Sequence, residues 1–166
     1  MKLLIPVDGS QAALAGVHHA IALHRSGVAV DTVLLNVQPR MPRHISRFSS
    51  RSARTALRAE RSANALAPAI EALTRARTPF VALTELGAPA ERIAAVATRE
   101  AVDEIVMGVG RHPQWLRWLN PSIAQGVMAR TDIPVTVLAR GQVGALSRYG
   151  VPAGIVGIAA VLWAVE

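Results

Sequence analysis

Leu3-Leu4-Ile5-Pro6-Val7, followed by Asp8-Gly9-Ser10, is the stretch on which the fold turns. A short unbroken apolar run closed by a glycine turn reads as a strand buried on both faces, the kind found in parallel sheets. Ser10 is a natural N-cap, and Leu14, Val17 and Ile21 then recur at helical spacing until Ser26-Gly27 stops the helix. The same alternation continues down the chain. Strands are expected at Val28–Val37, Phe80–Leu86, Ile105–Gly108 and Pro134–Ala139. Between them lie helical faces at Leu66, Ile70 and Leu73, at Ile93, Val96 and Ala97 behind Gly87-Ala88-Pro89, and over Ser122–Arg130. Pro68 predicts a kink or break near Ala67.

Strands alternating with helices of this length imply right-handed crossovers and an α/β, doubly wound parallel sheet. Ligands of such sheets bind beyond the carboxyl ends of the strands, where strand order reverses. Two turns therefore matter: Asp8-Gly9-Ser10 after the first strand, and Gly108-Val109-Gly110-Arg111 after the fourth. Both precede helices, whose free N–H groups favour an anion.

At 166 residues the chain fits one domain with a full core. It has no cysteine, which excludes disulfides, thiolate zinc sites and thiol catalysis. Half the residues are apolar and 17% are charged, which argues against wholesale disorder. The net charge is +7, and it is local. Residues 38–61 hold seven arginines and one acid, Glu60, while the remainder has eleven basic and ten acidic residues. Arg43, Arg47, Arg51, Arg54, Arg58 and Arg61 are spaced three or four apart, so on a helix they fall within an arc of about 80°. Ser46, Ser49, Ser50 and Ser52 weaken the helical reading, and like charges one turn apart repel. The segment is expected to order against an anionic partner, either a lipid surface or an acidic protein. Phe48 is its only aromatic, which disfavours nucleic acid. The alternative is a solvated, arginine-rich excursion.

Ile5-Pro6-Val7-Asp8-Gly9-Ser10 with its alanine-rich helix resembles the opening of the universal stress protein family. Gly87–Ile93, Asp103–Gly108 and Ile133–Leu138 are similar to that family's third-strand exit, fourth strand and closing strand, in order, over residues 1 to about 140. The resemblance implies a five-stranded parallel sheet of order 3-2-1-4-5, adenine-nucleotide alpha-hydrolase-like, and a homodimer through the strand at 134–139. It also implies a nucleotide site, ATP or AMP, with Val7, Asp8, Val37 and Met107 on the base and ribose side. On the phosphate side it implies Gly108 and Ser122. Two departures occur: Arg111 and Pro121 stand where the family pattern has glycine. An arginine side chain obstructs close backbone approach, and proline lacks an N–H. The leading reading is therefore a regulatory or adaptor domain with no nucleotide and no catalysis; the alternative is an ATP/AMP sensor in which Arg111 donates to the phosphates.

Catalytic and metal chemistry find little support in the residues. Ser10 and Ser122 are read as caps, since nothing identifiable would take their protons. His18, His19 and His24 offer no metal pair one turn apart; His18 is placed on the Leu14–Ile21 face. Asp103-Glu104 is read as a solvated turn.

Beyond Ala139 the family pattern ends. After a polar connection, residues 149–165 run without a charge and would form an apolar C-terminal helix about 25 Å long. It is read either as a membrane anchor, flanked by Arg140 and Arg148 on the inner side, or as a segment docked on the protein's own body. The N-terminus carries only five apolar residues before Asp8, too few for a signal peptide. The expected location is cytoplasmic, with residues 149–165 as the candidate link to the inner face of the membrane. The domain plan is 1–140 for the globular unit, with 38–61 as its basic excursion, and 141–166 for linker and tail.

Overall fold

The computed structural model describes residues 1–40, 50–109 and 123–139. The strands are β1 (Lys2–Pro6), β2 (Asp31–Gln38), β3 (Phe80–Leu86), β4 (Glu104–Val109) and β5 (Val135–Ala139). The helices are α1 (Leu14–Arg25), α2 (Arg51–Arg75), α3 (Pro89–Arg99) and α4 (Ile123–Met128). Every strand pair is parallel, in the order β3-β2-β1-β4-β5, as the resemblance implies.

β1 is central, and its alternate side chains feed two cores. Leu3 and Ile5 pack with Leu34 and Val106 beneath α1 and α2. Leu4 packs with Val33, Leu35 and Ile105 beneath α3 and α4. This explains why β1 reads as an unbroken apolar run rather than an alternating one. The start of the run is pinned by a reciprocal pair of bonds. The Lys2 amide donates to Asp103 Oδ2 at 2.6 Å, and the Asp103 amide donates to the Lys2 carbonyl at 2.8 Å. Asp103 thus ties β1 to β4 and is not a merely solvated turn.

α1 starts later than its cap residue suggests. Ser10 Oγ accepts from the Ala13 amide at 3.2 Å, but it caps an opening turn, and the regular helix begins at Leu14. Its end is as expected, with Gly27 at φ +89°. His18 is exposed, not on the packed face; Val17, Ala20 and Ile21 form that face.

α2 departs most from expectation. It runs unbroken for 25 residues from Arg51, through Pro68. Ser50 supplies the cap, its Oγ accepting from the Ala53 amide at 3.1 Å. A serine that weakened the helical reading therefore starts the helix. Pro68 causes no break because it and Asn64, whose carbonyl loses its partner, both face solvent. Leu66, Ala69 and Leu73 on the other face are buried and hold the helix to the sheet. Arg51, Arg54, Arg58 and Arg61 thus lie on a regular helix; helix propagation from a packed segment offsets their repulsion. Arg43 and Arg47 lie outside the described residues, as does the apolar tail with its candidate helix. Among the described residues, no helix is long and apolar enough to cross a membrane.

Candidate functional site

The switch point lies between β1 and β4, at their carboxyl ends. Leaving β1, the Val7 amide donates to the Leu35 carbonyl at 2.8 Å, and the Val7 carbonyl accepts from Asn36 Nδ2 at 2.6 Å. Asn36 Oδ1 in turn accepts from Gln38 Nε2 at 2.8 Å. Asn36 is buried and fully engaged, a residue the sequence reading passed over. Its signal was a lone amide inside an apolar β2 run.

Asp8 emerges from this tier into solvent. Its Oδ1 accepts from the Ser10 amide at 2.9 Å, which fixes the carboxylate at the rim. Gly9 follows at φ +85°, a region that costs other residues. There the turn meets α2, since a Cβ on Gly9 would stand 3.3 Å from Ala65 Cα.

The opposite rim is Met107-Gly108. Gly108 is pressed against the turn before α1: a Cβ there would overlap the Ala12 carbonyl oxygen and lie 2.6 Å from its carbon. The need for glycine here is set by the packing of two backbone segments, whatever else the site holds.

Of the residues implied for a nucleotide, Val7 belongs to the core beneath α1 and α2, while Met107 and Val37 belong to the core beneath α3 and α4. Val7 and Met107 are buried, so each reaches the crevice only by its margin. Asp8 alone among them presents an exposed polar group. Arg111 and Ser122 lie outside the described residues, as does Pro121. Among the described residues, no cluster of His, Cys, Asp or Glu could hold a metal ion.

α2 adds a wall above the Asp8 turn. Ser62 bonds Thr84 of β3 through their hydroxyls at 2.5 Å, two residues short of the end of that strand. The eleven residues Arg51–Arg61 then carry α2 about 16 Å further, past the sheet's carboxyl edge. Arg51, Arg54, Arg58 and Arg61 occupy the arc whose centre, down the helix, is Ala65. Arg54 and Arg58 are half-buried, and Arg58 Nε is buried without a hydrogen-bond partner.

Known proteins share this architecture. The hypothetical protein MJ0577 is 25% identical, with a TM-score of 0.67 over 85% of this chain and 96% of its own. A universal stress protein in complex with cAMP is 19% identical, with a TM-score of 0.60 over 83% and 96%. A universal stress protein family member from Arabidopsis thaliana with AMP bound is 14% identical, with a TM-score of 0.60 over 87% and 94%. No curated protein matches the sequence. The family model that matches residues 1–139 settles where the fold and its Asp8 turn come from: the chain belongs to the universal stress protein family.

Proposed function

We propose that this stress-response domain acts as an adenine-nucleotide sensor, regulatory rather than catalytic. The observation that carries the reading is an exposed, oriented Asp8 carboxylate at the switch point, in a turn that packs against the arginine-bearing helix α2 at Ala65. A carboxylate held by one oxygen keeps acceptor capacity for ribose hydroxyls. Arginines on the helix beside the turn suit phosphate. Structures of the same fold that hold cAMP and AMP support the same reading. The adaptor reading draws its force from Arg111 and Pro121; the cationic donors on α2 answer it from a different element.

Titration of the full chain with adenosine, AMP, cAMP and ATP, followed by melting temperature and calorimetry, tests the proposal. A rise in melting temperature with ligand supports it. No shift with any of the four at millimolar concentration returns the domain to the adaptor reading.

We further propose a homodimer through β5, an outer strand of the sheet, where Val137 is 42% exposed, with Ile123 and Met128 of α4 also exposed. The proposed location is the cytoplasm, with residues 149–165 attaching the protein to the inner face of a membrane. Fractionation of the full chain against a deletion from Ser147 onward tests the attachment. Identical soluble behaviour of both at low salt overturns it.

A further inference from the structure

We infer that Arg58 and Arg61 of α2 are phosphate-binding residues, so that the site prefers adenine nucleotides with more phosphates. The inference rests on the nucleotide reading above and goes beyond it by locating the phosphate contacts on α2.

The geometry starts at Gly9. Ala65 touches the Asp8-Gly9 turn, and successive helical residues are rotated by about 100°. Stepping from Ala65 toward the start of α2, Arg61 and Arg58 return to that face about 6 and 10 Å further along the axis. Arg54 and Arg51 continue the row. The arginine face therefore lies on the side of α2 that meets the β1 turn, with Arg58 half-buried and Arg61 on its exposed flank.

Three further observations point the same way. First, α2's inner face changes chemistry at the level of the crevice. Leu73, Ala69 and Leu66 are apolar and buried, Ser62 is buried but polar, and Arg58 is charged. Second, neither Arg58 nor Arg61 forms an ion pair among the described residues, and Arg58 Nε is buried with no acceptor. A buried donor without an acceptor is costly, and an anion seated beside it relieves that cost. Third, Glu60, the single acid of the stretch, falls on the far side of the helix from Arg58 and Arg61. A polyphosphate supplies several acceptor oxygens in line, which a row of guanidinium groups is suited to engage.

Calorimetry of the full chain with adenosine, AMP, ADP and ATP, on wild type, R58Q, R61Q and R25Q, tests this. Arg25 ends α1 at the opposite edge of the sheet, so R25Q removes the same charge away from the crevice. Affinity is expected to rise with each phosphate in the wild type. R58Q and R61Q are each expected to weaken ATP about tenfold and leave adenosine unchanged, with R25Q inert. Should R58Q lose its fold by circular dichroism, R61Q, at an exposed position, carries the test. If ATP binds both variants as tightly as wild type, the arginine assignment is wrong and the nucleotide reading stands. If those variants instead lose binding to phosphatidylglycerol vesicles while keeping ATP, the face belongs to a lipid surface. If the wild type binds neither adenosine nor ATP, both readings fall together.

Discussion

Ala65 and Gly9 are in close proximity, and this contact brings α2 against the turn at the switch point. Gly9 is required twice, by its φ of +85° and by the space that Ala65 leaves. Gly9→Ala is expected to lower stability by about 1–2 kcal/mol in urea denaturation, chiefly from the left-handed backbone. Adding Ala65→Gly should restore little, because it relieves the contact but not the dihedral. Full recovery in the double variant would mean that packing alone demands the glycine.

Gly108 separates two explanations of a glycine at the end of β4. If its purpose were only to approach a phosphate, Gly108→Ala would fold normally and lose ligand. The structure drives the new methyl into the Ala12 carbonyl, backbone that no rotamer change can move aside. The variant is therefore expected to lose about 3 kcal/mol, or to fail to fold, with or without nucleotide. A native melting temperature would contradict this.

Asn36 joins β1 to β2 where the core gives way to the crevice. Asn36→Leu keeps similar bulk but strands the buried Val7 carbonyl and frees the Gln38 amide. A loss of about 1–3 kcal/mol is expected. Amide exchange should quicken around Val7 and Asp8 more than in β3, since the Asp8 turn is anchored through that carbonyl. Uniform quickening across the sheet would instead mark a general loss of packing.

The parallel strands and the Asp8 turn were legible in the sequence because buried parallel strands impose continuous apolar runs, and Leu3–Val7 and Ile105–Met107 have them; the strand order came from the family resemblance, since alternation alone does not separate one doubly wound sheet from another. Pro68 misled because its cost depends on which way residues 64 and 68 face, and that is decided by Leu66, Ala69 and Leu73 binding the sheet. Ser50 was misread for a similar reason: a serine opposes a helix inside it and starts one at its end. Gly108 carries a motif glycine's position but a packing glycine's necessity, a distinction that needs the path of the Ala12 backbone. The direction of the arginine row could be drawn from its spacing. That it points at the Asp8 turn could not, because this depends on where Ala65 lands.

Glu100 gives the fold a pH dependence with a definite sign. Its carboxylate lies 3.3 Å from Lys2 Nζ and 3.4 Å from Arg99 Nε, and hydrogen bonding to Lys2, then Arg99, holds its pKa below the ordinary glutamate value. The folded state thus gives up this proton more readily than the unfolded chain. Stability from Glu100 is fully present above the unfolded value, about 4.3, and is lost as pH falls through the lower folded value. Glu100→Gln should therefore melt slightly below wild type at pH 7, with the gap closing as the medium is acidified past that range. Because the group is only half-buried, 1 M salt should narrow the gap at pH 7 as well. Lys2 keeps its 2.7 Å bond to the Glu100 carbonyl in the variant, so the N-terminal strand stays attached. A gap that widens on acidification would mean that the carboxylate is strained rather than stabilised in the folded protein.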